Sequence, residues 1–257
     1  MKTILKSLYL YLILLLAISS TLSHSGTIDP NTPDEKYIEY GKKFTYIYQI
    51  CGTNNDKSIF CASAVAIHPH WAVTAAHVVK DAKLCLLHHK ESDNAFLVSE
   101  IITHEDYNDK TFGKADIALL YIEKDLGLNF YPELYDGNDE INKICCISGY
   151  GMTGTFLTGL IKSDDYRRAG SNKIDHIEND LLICSPSKNK RTELEFLICS
   201  GDSGGGLFIE NKLAGINSCV LASDKKPNST YGDESGHTRI SKFANWIRKI
   251  ITIKTER

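Results

Sequence analysis

The chain of 257 residues predicts an all-β fold closed by a C-terminal helix, on three observations. Short apolar segments succeed one another along it: FTYIYQIC, FCASAVAI, WAVTAAHVV, KLCLLHH, AFLVSEIIT, DIALLYI, KICCISGYG, DLLICS, GGLFIE and KLAGINSCVLA. Their β-branched and aromatic content suits a pleated, half-buried surface. Turn chemistry separates them, as in Asn-Asn-Asp at 54–56, Asp136-Gly137-Asn138 and Glu210-Asn211-Lys212. Asn, Asp and Gly tolerate the left-handed conformations that tight turns need. The third observation is the stretch SKFANWIRKIITIK, where Phe243, Trp246, Ile247, Ile250 and Ile251 recur at three- and four-residue steps and share one helix face. Many short strands with little helical periodicity elsewhere imply a barrel or a sandwich. The polar stretch from Lys124 to Lys143 lacks a strand pattern and is expected to connect two halves.

Composition narrows the function classes. With 42% hydrophobic and 24% charged residues, the chain is ordinary globular material, and its net charge of −3 and pI near 6.3 offer no basic surface for nucleic acid or anionic lipid. The run KNKR at 188–191 is too short to change that. The N-terminus differs from the rest: Lys2 and Lys6 precede an unbroken apolar run from Leu8 to Ile18, and Ser23 and Ser25 fit signal-peptidase spacing. That run is well short of the roughly 20 residues a bilayer span requires. Residues 1–25 therefore read as a signal peptide, and the mature protein is expected to be secreted (periplasmic in a Gram-negative bacterium), with no stable membrane association. Eight cysteines in an exported chain suggest disulfides, though eight allow on the order of a hundred pairings. Asn228-Ser229-Thr230 is a glycosylation sequon. His68-Pro69-His70 and His88-His89 form pairs, but no further ligands recur at zinc-site spacing, so no metal or other cofactor is expected.

The chemistry concentrates in three places. In SGDSGGG, Ser203 lies among glycines that leave backbone amides open to approach. A serine hydroxyl needs a base to take its proton, and the oxyanion that follows needs donors; the amides of Gly201 and Ser203 are candidates. WAVTAAHVV places His77 after a strand-like run, flanked by small residues. KADIALLYI places Asp116 just before an apolar strand, where a carboxylate is costly to bury unless it is hydrogen-bonded.

TAAH at 74–77, DIALL at 116–120 and GDSGG at 201–205 stand in the order and at the separations of the trypsin-like (chymotrypsin-fold) serine proteases, which this sequence resembles from about Cys61 to its C-terminus. HEDYN at 104–108, SGYG at 148–151, AGINS at 214–218 and TRISKFANWI at 238–247 extend the likeness. The resemblance implies two packed six-stranded antiparallel β-barrels with a C-terminal α-helix. Within a protease domain over 26–257, the barrels are expected at about 37–130 and 141–240, and the helix at about 241–253. It also implies a catalytic triad of Ser203 as nucleophile, His77 as base and Asp116 as its orienting partner. Ser218 would bond Asp116 and begin the strand that pairs with substrate. The implied activity is that of a monomeric serine endopeptidase acting on proteins or peptides.

Several positions depart from the family pattern. Val78 stands where vertebrate relatives carry a cysteine, so Cys61 pairs elsewhere or stays free, with Cys51 one candidate; Ile209 likewise deprives Cys145 of its usual partner. Cys199 and Cys219 flank the implied specificity pocket and are placed to bridge it. Family zymogens are cut before a sequence like IVGG, and the new amine pairs with the residue that is Asp202 here. This chain offers only YIEYG at 37–41, with Ile38 as the candidate, so the cation for Asp202 is left open. The implied pocket floor is Leu197, with Val220 on its wall, which favours an apolar P1 residue over Lys or Arg; a shifted register would substitute Glu193 or Glu195. Two other readings compete. GDSGG also fits the G-x-S-x-G elbow of α/β-hydrolase esterases, with Asp233 and His237 as partners, but that fold needs helices between strands. A catalytically inactive relative acting as a binding protein is the other.

Overall fold

A computed structural model describes residues 26–90, 94–111, 113–162 and 164–255; residues 1–25, expected to be a signal peptide, lie outside these. Strands dominate. The first sheet is built from β2 (Ile47–Asn54), β3 (Ile59–His68), β4 (Trp71–Thr74), β5 (Ala82–His88), β6 (Ala95–Leu97), β7 (Glu100–Thr103) and β8 (Ala118–Tyr121), in the spatial order β6-β5-β2-β3-β4-β8-β7. All pairings are antiparallel. β6 and β7 are two halves of one bent segment. The Val98 amide still bonds Cys85 on one side, and the next amide, Ser99, bonds Tyr121 on the other. The bend closes the sheet on itself, so seven short strands make a ring of six.

The second sheet repeats the device with β9 (Ile144–Gly149), β12 (Arg168–Lys173), β13 (His176–Glu178), β14 (Leu181–Cys184), β16 (Gly206–Ile209), β17 (Lys212–Ala222) and β18 (Asp233–Arg239), in the order β12-β9-β16-β17-β18-β14-β13. Here the seam falls at Ile174 and Asp175, whose amides bond Lys143 and Ile183 on opposite sides. The turn between β16 and β17 uses Glu210 and Asn211 at φ 50° and 65°, the left-handed pair that matches strand twist in a tight hairpin.

Each ring encloses apolar side chains. Ile47, Ile50, Val65, Trp71, Val73 and Leu119 are buried in the first, and Ile147, Leu182, Phe196, Leu207 and Ala214 in the second. Burying one such large side chain stabilises the fold by about 1.5–3 kcal/mol. The stretch between the rings carries no regular element, but Leu134 bridges to Leu213 and straps it to the second sheet. A 3₁₀ turn (Ile240–Lys242) leads into a C-terminal helix, Ala244–Thr255. Its Ile247 is fully buried, and Phe243, Trp246, Ile250 and Ile251 pack with it on the core of the first sheet. His104 stacks on Phe243 and Trp246 at 4.9 and 4.8 Å.

Two N-terminal features were not expected. β1 (Thr27–Ile28) enters a small sheet with β10 (Thr153–Thr155), β11 (Gly159–Lys162) and β15 (Phe196–Leu197), pairing Thr27 with both Gly154 and Leu197. A helix, α1 (Asp34–Gly41), follows Pro33; proline suits a helix start, and Asp34 and Glu35 suit its first turn. The helix is anchored by Arg168, fully buried, whose guanidinium grips Asp34 on two oxygens at 2.6 Å each and Asp164 besides. Ile38, the candidate activation residue, is inside this helix.

Candidate active site

His77 sits on α2 (Ala76–Val79), a single turn directly after β4. Ala75 and Ala76 are fully buried, and their small side chains let the turn tuck against the core. Asp116 lies just before β8, after Ala115 at φ 47°. Their contact is two-pronged: the His77 ring places Nδ1 2.7 Å from Asp116 Oδ2, and its amide donates to Oδ1 at 2.9 Å. Ser218 on β17 donates its hydroxyl to the same Oδ2 at 2.6 Å. Burial alone would raise the Asp116 carboxyl, but the His77 ring and amide and the Ser218 hydroxyl outweigh it and hold it below the ordinary carboxylate range. An ionised acceptor fixes the proton on Nδ1, leaving Nε2 as the basic nitrogen.

Ser203 stands in the turn between β15 and β16. Within 201–205 the amides of Asp202, Gly204 and Gly205 donate to Cys199 O, Asn217 O and Asp202 O. Among the described residues, the Gly201 and Ser203 amides donate to nothing in the chain. Those are the two amides proposed from the sequence. Glycine is required at 204, where φ is 84° and a β-carbon would fall 2.0 Å from Thr74 Oγ1 and 2.2 Å from Ser63 O. The first sheet thus presses directly on the turn. His77, Gly201 and Ser203 border one open cleft of about 270 Å³, together with Phe60, Ala62 and Ser200.

The clamping roles around this turn were not legible, although Asn217 and Thr238 lie within the AGINS and TRISKFANWI stretches. Ser63 on β3 donates its hydroxyl to Gly201 O at 3.0 Å, accepts from the Tyr150 amide at 2.9 Å, and bonds Ser203 O through its own amide at 2.9 Å. Asn217 donates its side-chain amide to Ser148 O and Asp202 O. Its Oδ1 accepts from His237 Nδ1 at 2.9 Å. Thr238, on the second sheet, donates to Asp116 O at 3.0 Å. Polar residues on strands carry no sequence signature for such roles.

Asp202 is fully buried, and its carboxylate accepts amides from Gly26, Cys199 and Gly151 at 2.8, 2.9 and 2.9 Å. Loss of solvent nevertheless pushes its pKa up to about 6. The segment that reaches this carboxylate is therefore Gly26, at the foot of β1, and not the stretch around Ile38. Of the cysteines, Cys51 and Cys61 face each other across β2 and β3 and are bonded, with Cα atoms 4.2 Å apart. Cys199 and Cys219 do not bridge: Cys199 Sγ faces Met152 O, and Cys219 Sγ packs against Gly236. Leu197 is fully buried in the small sheet, Ser218 nearly so, and Val220 is half-buried on β17. Among the described residues, no three His, Cys, Asp or Glu side chains gather as a metal site, and no helix is long and apolar enough to cross a membrane.

Two rings of antiparallel strands with a histidine–carboxylate pair from one and a glycine-framed serine from the other define a chymotrypsin-fold protein. A model of the trypsin family matches residues 41–247, and the chain belongs to that family of serine proteases, which are hydrolases acting on proteins or peptides. It is 26% identical to the submandibular glandular kallikrein-9 of Rattus norvegicus over 94% of this chain and 98% of the relative. It is 28% identical to the mast cell protease 8 of Mus musculus over 78% and 82%. Among solved structures, HL collagenase superposes with a TM-score of 0.69 at 21% identity, covering 81% of this chain and 94% of that one. Mouse neuropsin does so with a TM-score of 0.64 at 20% identity, covering 81% and 95%.

Proposed function

We propose that the protein is a secreted, monomeric serine endopeptidase that cuts peptide bonds through Ser203, His77 and Asp116. The observation that carries this reading is the meeting, at one cleft, of a serine, an imidazole with Nδ1 committed to a carboxylate, and two unengaged amides. Ser203 Oγ attacks the scissile carbonyl while His77 Nε2 takes its proton, and Asp116 stabilises the imidazolium. The oxyanion accepts from the Gly201 and Ser203 amides, each such donor contributing about 3 kcal/mol in enzymes of this kind. His77 then gives its proton to the leaving amine, and an acyl-enzyme remains on Ser203. Water, deprotonated by the same nitrogen, hydrolyses it.

We expect an apolar P1 residue, with Leu197, itself fully buried, as the pocket floor, Val220 on the pocket wall and Ser218 at the start of the strand that pairs with substrate. The acidic alternatives are engaged elsewhere. Glu195 is buried and held by the Arg191 guanidinium and amide and the Ser187 amide, and Glu193 lines a separate cavity with Lys36, Lys43 and Tyr40. A bound Lys or Arg would lack a buried counter-charge. The esterase reading loses its partners. His237 is fully buried between Asn217 and Ser235, and the Asp233 carboxylate accepts the Asn228 and Thr230 amides.

The test is labelling of the secreted protein with a fluorophosphonate, followed by cleavage of a diverse peptide library. Labelling at Ser203 that vanishes in His77→Ala, with cuts mainly after apolar residues, is the expected result. No labelling would favour a binding protein. Turnover that survives loss of His77 but not of His237 would favour the esterase, and cuts after Lys or Arg would remove Leu197 from the pocket floor.

A further inference from the structure

Cys145 is the second residue of β9 and Cys184 the last of β14. These strands are not neighbours in the sheet; they flank the bent β12–β13 segment, one on each side, where the second ring closes. Both side chains point into the ring. They are 1% and 0% exposed, and their sulfurs lie 3.8 Å apart. Among the described residues, no other two unbonded cysteines come within sulfur hydrogen-bonding range. Cys146 faces the opposite way, with its sulfur 2.8 Å from the Tyr40 hydroxyl, so strand alternation excludes it from the pair.

We infer that Cys145 and Cys184 are joined by a disulfide in the secreted protein, a covalent staple across the seam of the second ring. The inference rests on the exported reading above. A disulfide needs its sulfurs about 2 Å apart, so the gap closes by less than 2 Å, within reach of small side-chain rotations. The seam is where backbone pairing switches from β9 to β14 between Ile174 and Asp175, and the staple ties together the two strands that on this side of the ring are joined only through that bend. The chemistry balances with a disulfide oxidant of the secretory route, either a dithiol–disulfide oxidoreductase or a small-molecule disulfide. A thiolate of one cysteine attacks the oxidant and forms a mixed disulfide; the second cysteine displaces the oxidant's remaining thiol. Two S–H bonds are lost, one S–S bond forms, and the oxidant leaves as two thiols carrying both electrons and both protons. Burial pushes the Cys184 thiol well above its ordinary range, and the folded ring admits no oxidant. The bond therefore closes before the seam is sealed and resists reductant afterwards.

The experiment is peptide mapping of the secreted, alkylated protein without reduction. Trypsin releases 144–162, containing Cys145 and Cys146, and 174–188, containing Cys184. The expected product is these two peptides joined, lighter by two hydrogens than their sum, retained in Cys146→Ala and lost in Cys145→Ala. Dithiothreitol should free it only in the presence of denaturant. Cys184→Ala should melt about 10 °C lower, from the closed loop it removes. Should either alanine variant fail to fold, fragmentation of the wild-type joined peptide between residues 145 and 146 assigns the bond directly. Alkylated Cys145 and Cys184 beside an intact Cys51–Cys61 bond would overturn the inference alone. So would a link from Cys184 to any other cysteine. Alkylation of all eight cysteines would overturn it together with the exported reading.

Discussion

Acid should weaken this protein through His237, and the size of the effect follows from its surroundings. The ring is fully buried on β18, with Nδ1 on Asn217 and Nε2 3.0 Å from Ser235 Oγ. Loss of solvent pushes its pKa down from 6.5 to about 3. The unfolded chain takes up a proton near 6.5, whereas the folded chain resists it until about 3. The stability this represents is complete above 6.5 and is lost as pH falls toward 3. Each pH unit in that window is worth about 1.4 kcal/mol, so His237 alone withdraws about 3 kcal/mol by about pH 4.5 and about 5 in the limit. The assay is urea denaturation of a Ser203→Ala background, which cannot digest itself, at about pH 7.5 and about pH 4.5, against the same protein carrying His237→Gln. The variant loses some stability at both pH values, because its amide cannot meet both partners. Its change between them should be smaller by about 3 kcal/mol. His89, also pushed down to about 3, is common to both proteins and cancels. Equal changes in the two proteins would refute the reasoning, as would a His237 NMR titration near 6.5 in the folded state.

Four further outcomes are expected. Asp116→Asn should lower kcat at neutral pH by about ten-thousand-fold, the loss known for the corresponding change in this family; a loss under tenfold would contradict the role of the Nδ1 contact. Gly204→Ala should cost more than about 3 kcal/mol, since it combines a left-handed φ with backbone and hydroxyl overlap; a melting temperature within a few degrees of wild type would show that the turn relaxes. Replacing Cys51 and Cys61 by alanine opens a loop with a separation of 10, and should cost about 3 kcal/mol in denaturant titration. Finally, a chain beginning at Gly26 sets an ammonium where an amide now meets Asp202. The carboxyl's rise from 3.8 to about 6 is a penalty that builds as pH climbs through that interval, about 3 kcal/mol in all. The shorter form should therefore exceed one with residues added before Gly26 in stability and kcat/KM, most clearly above pH 6; equality of the two would refute it.

The strands were legible because alternating apolar residues and Asn/Asp/Gly turns report directly on a two-sided sheet, and the C-terminal helix because five apolar residues share one face. His77, Asp116 and Ser203 stood out through local motifs that survive in one dimension. Other features are defined only through space. The segment DEKYIEYG offers little apolar periodicity, and its helix is held by a bidentate pair with Arg168, 134 residues away. Ser63, Asn217 and Thr238 are unremarkable polar residues until the sheets place them against the Ser203 turn and Asp116. Cysteine pairing was ambiguous for the same reason: the neighbours of Cys145 and Cys199 depend on which way each strand faces.

The cross-bracing of the cleft bears on timing. Ser63 of the first ring steadies Gly201 in the second, while Ser218 and Thr238 of the second steady Asp116 in the first. Neither half can assemble its share of the machinery before the other docks. On the proposed activity, a nascent chain, with its loops still open to attack, carries no working blade with which to cut itself or its siblings.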